Sequence, residues 1–451
     1  MINNSYIKSN EFATWVFRLA LPSTIQALLN VSVNALNNLL TGHYFGEVEI
    51  SVISQTASVF AIYEVITFGF ASSCGILTAQ YWGKRDSAKI NTIISIGVRL
   101  EALLGLFFSV LMLVFPSDIM NLMTKDPNVI LLGAQYLRIT APVYLLFGVC
   151  NALYSCFNSL EMVQYVFSGN AICSISNLIL SYLLIPRIGV IGAGISSLVS
   201  RIISLAFVTY VLFKKSKTAY SILDISNKED TNLLKDFLHV AYPVMGHELI
   251  WSVGNNMPQI LMGRMNTIAT SSYGIAINLC QLLSIVQTGL GSAAITIIGQ
   301  NIGKGDAERA KKSANTFVIY TLLSSIVSTL LLFILRPIYL SFYDVSPEVV
   351  ATANKMMQVL MIQTFFTGFD SVILVSTLRA GGMGKVGFFT DIVVMWMIAI
   401  PLGWIGVYIW KLSPPLVALL VKLDMPLKSL VGLYFVLKTN WIHNLTRESN
   451  G

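Results

Sequence analysis

Apolar residues in this chain gather into long stretches, parted by short polar breaks. A helix crosses a bilayer core in roughly 20 predominantly apolar residues. Marking the stretches on that scale predicts twelve membrane helices, over 14–40, 50–79, 90–115, 129–157, 163–186, 190–213, 237–263, 270–299, 313–336, 348–378, 386–410 and 414–437. The longest polar interruption, about 214–236, separates the sixth from the seventh.

Composition strengthens this reading. The 451 residues are 55% hydrophobic and 11% charged, with a mean hydropathy of +0.71. A soluble domain carries about 25% charged residues, because its surface must stay in water. The chain is therefore expected to be an all-α polytopic membrane protein. Twelve helices put both termini on one side. With the termini inside, the inner loops collect Lys84, Arg85, Lys89, Lys214, Lys215, Lys217, the "GKGDAERAKK" stretch, Arg379, Lys385, Lys438 and Arg447. The outer loops keep only Lys125, Arg187, Arg264, Arg336 and Lys411, so the excess of inner positive charge selects cytoplasmic termini in a cell (plasma) membrane. The net charge of +7 follows from those loops and does not call for nucleic acid. The five cysteines lie in apolar segments without CxxC spacing, and the four histidines form no metal motif, so no cofactor is expected.

One stretch invites a different reading. "QNIGKGDAERAKK", from Gln300, approaches a phosphate-binding loop but lacks its Ser or Thr and the preceding strand. It has a twin instead. "QYWGKRDSAK" from Gln80 matches it at an offset of 220, pairing Gln80 with Gln300, Gly83 with Gly303, Lys84 with Lys304 and Asp86 with Asp306. The same offset brings Pro127 onto Pro347 and Gly148 onto Gly368. The chain is thus read as two parallel six-helix repeats. The expected division is an N-lobe over 1–213, a cytoplasmic linker over 214–236, a C-lobe over 237–437 and a cytoplasmic tail over 438–451. The repeated glycine, Gly83 or Gly303, is expected to serve a tight exit from its helix.

With two parallel halves and the motifs "AQYWGKRD", "GQNIGKGDAERAKK", "STLRAGGMGK", "FFTDIVVMWMIAIPLGW" and "WIHNLT", the sequence resembles the multidrug and toxic compound extrusion (MATE) family of secondary transporters. The resemblance implies two lobes that open alternately, and export of small organic cations or drugs against inward Na⁺ or H⁺. It implies no enzyme activity.

A carboxylate in mid-membrane costs a few kcal/mol on insertion scales, at the ~2.5–3.5 kcal/mol level, so each one asks for a reason. Glu64, Glu101, Glu248, Asp370 and Asp391 stand out. In NorM-type relatives acidic residues in the seventh and tenth helices form the cation site. Asp370 matches that pattern in "QTFFTGFDSVIL", and Glu248 matches less closely, being nearer to Pro243. Phe366 stands where some relatives carry a tyrosine. The N-lobe acids of other relatives are replaced here by Asn37 and by Asn177 with Ser181. The resemblance therefore implies a C-lobe cation-coupling site at Asp370 and Glu248, with Asn255 among the oxygens available to Na⁺. The missing N-lobe acids tilt the choice towards Na⁺. Substrate-cavity residues are expected among Asn37, Gln287, Phe366, Trp251, Asp391 and Trp396. Asp391 is read as a helix N-terminal carboxylate facing the cytoplasm, Lys422 as one of the few basic residues inside the spans, and Glu101 as the partner of a base such as Arg138. The protein is expected to act as a monomer. The alternative function is a flippase for a lipid-linked saccharide or cell-wall precursor, disfavoured by the few basic residues inside the spans.

Overall fold

The computed structural model describes residues 6–44, 47–216, 231–343 and 345–447, and every regular element among them is helical. The order is α1 (Asn10–Tyr44), α2 (Glu47–Lys84), α3 (Ser87–Val114), α4 (Pro116–Met123), α5 (Pro127–Ser159), α6 (Val163–Ile188) and α7 (Val190–Ser216). Then come α8 (Thr231–Met265), α9 (Thr267–Leu283), α10 (Ile285–Gly303), α11 (Ala307–Leu340), α12 (Pro347–Ala380), α13 (Gly384–Tyr408), α14 (Pro414–Lys422) and α15 (Asp424–Lys438). Most of the expected linker, 217–230, lies outside the described residues.

Each of the twelve expected spans has a helical counterpart. Among the described residues nine helices are long and apolar enough to cross a membrane, and α9 with α10, bent by 41° at Ser284, makes a tenth. The remaining two stretches fall short for informative reasons. α8 has 35 residues but a composition too polar, carrying His247 and Glu248. The last span is split at Leu423 into helices of 9 and 15 residues. Pro426 explains the split, since it has no N–H to offer the carbonyl of Lys422.

Large apolar side chains are exposed along the helices as well as buried between them. On α3 the exposed side chains Leu103, Leu106, Phe107, Val110 and Val114 recur at helical spacing, while Glu101, Gly105, Ser109 and Met112 are buried on the opposite face. That is the reverse of a soluble surface helix and fits lipid contact.

The chain forms two compact units, residues 25–245 and residues 1–24 with 246–451. The first 24 residues are thus grouped with the C-terminal helices rather than with the N-lobe as the sequence division had it. Local contacts account for this. The Ile7 N–H donates to Thr316 Oγ1 at 2.9 Å, and the Phe12 and Phe317 rings meet edge to face at 6.3 Å. In unit 25–245 the core gathers where α2, α3 and α5 cross, around Tyr63, Met112, Leu137 and Tyr144. In the other unit it runs through α9, α12 and α14, around Leu279, Met356, Leu360 and Val417.

The repeat is visible in the helix caps. Asp86 accepts from the Lys89 N–H at 3.1 Å and starts α3; Asp306 accepts from the Arg309 N–H at 2.9 Å and starts α11. Pro127 and Pro347 both open their helices at the first turn. The glycine expectation needs correcting, however. Gly83 and Gly303 are helical, and the left-handed turn falls two residues later, at Arg85 (φ 61°) and Gly305 (φ 78°). Only glycine adopts that region without steric cost. Arg85→Gly is therefore expected to raise stability and Gly305→Ala to lower it, each by about 1 kcal/mol. Thermal unfolding of the purified protein in detergent checks the opposite signs.

Candidate functional site

Two of the helices abandon α geometry where their carboxylates lie. Phe369–Thr377 in α12 and Asp391–Ala399 in α13 are π-helical, nine residues each. Asp370 is the second residue of the first stretch and Asp391 the first of the second. Side-chain hydroxyls follow the wider turn: Ser376 donates to the Ser371 carbonyl and Thr377 to the Val372 carbonyl, both five residues back, at 2.8 Å. Such turns recur at functional sites because they displace side chains from the regular helical stagger. α15 packs against both π stretches, and α8 meets α13 closely at Gly387. A Cβ built there would come within 3.0 Å of the His247 ring, so the glycine lets the imidazole reach the turn below Asp391.

The result is a continuous buried chain of charges. Arg379 Nη2 donates to Glu248 Oε1 at 2.6 Å and to His247 Nδ1 at 2.7 Å. An arginine N–H can only donate, so Nδ1 is the accepting nitrogen and the imidazole proton sits on Nε2. Nε2 faces Asp391 Oδ2 at 3.2 Å. On its other oxygen Asp391 pairs with Lys428 Nζ at 2.6 Å, and Lys428 pairs with Asp424, one turn earlier on α15, at 3.3 Å. Lys422, freed at the Leu423 break, donates to Asn255 Oδ1 at 3.1 Å. Lys428 and Asp391 are fully buried.

Asp370 lies beside this chain, 6% exposed. It has Lys428, Asp391, His247 and Asp424 within electrostatic reach. Among the described residues it makes no direct ion pair. The cluster therefore holds four carboxyl groups (Glu248, Asp370, Asp391, Asp424) against three basic side chains (Arg379, Lys422, Lys428), with His247 hydrogen-bonded between Arg379 and Asp391. With all four acids ionised, one negative charge is left over, and Asp370 is the acid without a direct partner.

The expected site residues distribute as follows. Asp370, Glu248, Asn255 and Asp391 all belong to this cluster, but Glu248 is engaged by Arg379 and the Asn255 oxygen by Lys422. Asp391 is not a cytoplasm-facing helix end; it is enclosed and paired to Lys428. Arg379, assigned to an inner loop, is 3% exposed and held by Glu248, and Lys422, read as lying inside a span, is 4% exposed. Gln287 is buried, with its Nε2 donating to Ser328 Oγ at 3.3 Å, and its side chain borders Gly368, two residues before Asp370. Phe366 packs against Phe365 and Phe369 at 5.0 and 6.4 Å between centroids. Trp396 donates to the Ile250 carbonyl at 3.1 Å, and Trp251 and Trp396 pack on the aliphatic core. The side chain of Asn37 lies outside the described residues.

Sequence reasoning passed over His247, Asp424 and Lys428. The signal was there in "GHEL" and in "VKLDMPLKS", where an acid and a base four apart interrupt an apolar run. Lone removal of one member of a buried ion pair costs about 3–5 kcal/mol. Lys428→Met is expected to lower stability by that amount, and adding Asp391→Asn to restore a large part of it. Strictly additive losses in thermal unfolding would contradict the pairing.

Comparison with known proteins gives a consistent result. The MatE family model matches residues 22–183 and 243–405, once in each half. The chain is 22% identical over 439 residues to multidrug and toxin extrusion protein 1 of Pongo abelii, covering 94% of this chain and 74% of that one. It is 21% identical over 387 residues to the probable multidrug resistance protein YoeA of Bacillus subtilis (strain 168), covering 83% and 82%. In fold it is similar to a multidrug resistance MATE family transporter solved in an outward-facing conformation, with a TM-score of 0.87 at 16% identity over 94% of both chains. It is also similar to a transporter of the MOP superfamily from Pyrococcus furiosus, with a TM-score of 0.86 and the same identity and coverage.

Proposed function

The chain belongs to the MatE family, a family of membrane transporters rather than enzymes, and from that premise we propose that it is a secondary antiporter. It exports small organic cations or drugs in exchange for an inward cation, Na⁺ or H⁺, and needs no cofactor. The family relatives named for multidrug export support the substrate class. The observation that carries the exchange is the buried carboxyl of Asp370, which makes no direct ion pair among the described residues and leaves the cluster one acid in excess of its bases. A site that is one negative charge in excess accepts one monovalent cation. A proton, a sodium ion and an organic cation then compete for it, and competition at one acidic centre is sufficient for exchange.

Each named residue has a distinct part in this reading. Asp370 holds the exchangeable cation. Lys428 and Lys422 together balance Asp391 and Asp424, so that neither takes up a second ion. Arg379 and His247 link Glu248 to Asp391, which makes Glu248 a member of the scaffold of the site rather than its open ligand. The repeated halves act as the two lobes that expose the centre alternately, in a plasma-membrane protein that works as a monomer with both termini in the cytoplasm. A carrier of lipid-linked pyrophosphate needs a cationic cavity, and the acidic excess of this cluster does not favour it.

Cells expressing the protein and loaded with a fluorescent organic cation are expected to lose it faster than cells without the protein. Asp370→Asn at equal expression is expected to fall to the background rate. Efflux of the variant at the wild-type rate would remove Asp370 from the exchange centre. Repeating the assay with and without Na⁺ at fixed pH separates Na⁺ from H⁺ as the driving ion.

A further inference from the structure

The other compact unit holds a buried acid that the exchange centre does not use. Glu101 on α3 is 0% exposed, and among the described residues neither of its carboxylate oxygens has a hydrogen-bond partner. The expected ion pair with Arg138 is not formed; Arg138 is exposed. The acid sits at the crossing of α3 with α5, where Gly148 makes the room. A Cβ on Gly148 would lie 2.6 Å from Tyr63 Oη and 3.1 Å from Glu101 Oε2.

The groups around it do not stabilise an anion. From α2, Tyr63 spends its hydroxyl hydrogen on the Tyr144 carbonyl, at 2.5 Å, so it has none left to donate to the carboxyl. Also from α2, Cys74 is a buried thiol within electrostatic reach, and Glu64 is an exposed acid of the same sign. From α5 comes Tyr144, whose ring packs against those of Tyr63 and Phe108. From α7, Arg201 is drawn over the Phe147 ring, 5.0 Å from its centroid, with Glu64 and Tyr63 in its electrostatic range. A carboxylate taken out of water without a cation or donor is far costlier than the neutral acid.

The repeat supplies an internal control. At the offset of 220, Gly148 corresponds to Gly368, and Glu101 to Thr321. The second crossing has the same construction: a Cβ on Gly368 would meet the Ser325 hydroxyl and the Thr321 methyl. One copy of this crossing therefore folds with a buried threonine, so the fold does not require an acid there. The acid is an addition made in one half only.

We propose that Glu101 is a proton-binding site of the 25–245 unit, loaded in the conformation described here and emptied when the α3–α5 crossing admits water. It deepens the antiport reading and rests on it for its place in the cycle: a proton leaves Glu101, as H⁺ to water, when the organic cation binds, and returns when the cation departs. No other bond changes.

Infrared spectra of the purified full-length protein, compared between neutral and alkaline pH, read the protonated carboxyl directly through its C=O stretch, which shifts in D₂O. The wild type is expected to show this band at neutral pH, and Glu101→Gln to lose one carboxyl's share of it, while Glu64→Gln keeps it whole. Glu101→Gln mimics the protonated acid; Glu101→Thr, the residue of the other repeat, serves if the glutamine fails to fold. An unchanged band in the variant, or none in the wild type, would overturn the assignment. Proton release on addition of an organic cation, followed with a pH-indicator dye, is expected to drop by one proton per molecule in Glu101→Gln. Equal release would overturn its part in exchange. If the wild type binds no organic cation, the antiport reading fails, whereas the infrared band still decides the proton site.

Discussion

Charge inside the hydrocarbon layer has to be neutralised by the protein itself, and the Lys428–Asp391 pair is where this fold meets that demand. Both groups are enclosed, 2.6 Å apart, on helices that could not approach so closely with their charges unmatched. From that pair the network extends in both directions, to Asp424 on α15 and through His247 to Arg379 and Glu248. Four helical segments are tied together in this way. Replacing such a network by apolar residues often stabilises a protein, so its presence is better explained by chemistry than by stability. The π turns at Asp370 and Asp391 fit the same view, since each gives up regular helical hydrogen bonding to set an acid in place.

The two repeats share a framework and differ in what they carry. The caps at Asp86 and Asp306, the opening prolines and the glycine crossings at Gly148 and Gly368 recur at one offset. The chemistry does not recur. Asp370 corresponds to Cys150, a buried thiol, and Glu101 to Thr321. A duplicated scaffold has thus kept the backbone features on which both halves depend, while its interior acids differ from one copy to the other.

Much of this was legible along the chain. Each membrane helix is long and locally apolar, so hydropathy finds it without knowledge of its neighbours, and a fixed offset reveals the repeat. The two spans that fall short on that scale carry part of the buried cluster: α8 holds His247 and Glu248, and the last span, broken at Leu423, holds Lys422, Asp424 and Lys428. What single segments cannot reveal is compensation across helices. Arg379 reads as a loop residue and Lys422 as a lone base inside a span, and only the fold brings Glu248 and Asn255 to them. In the same way Glu101 looked like half of an ion pair until the packing left it without a partner. The left-handed turn at Arg85 was hidden because the sequence offered a more obvious glycine two residues earlier.

The central claim is that one acidic centre takes one cation at a time. It is tested most directly by equilibrium binding of a fluorescent organic cation to the purified protein across a series of Na⁺ and H⁺ concentrations. The account predicts that the apparent Kd rises, at unchanged capacity, with the ion that competes at Asp370 and with H⁺ through the proton that leaves Glu101. A Kd independent of both ions would contradict it.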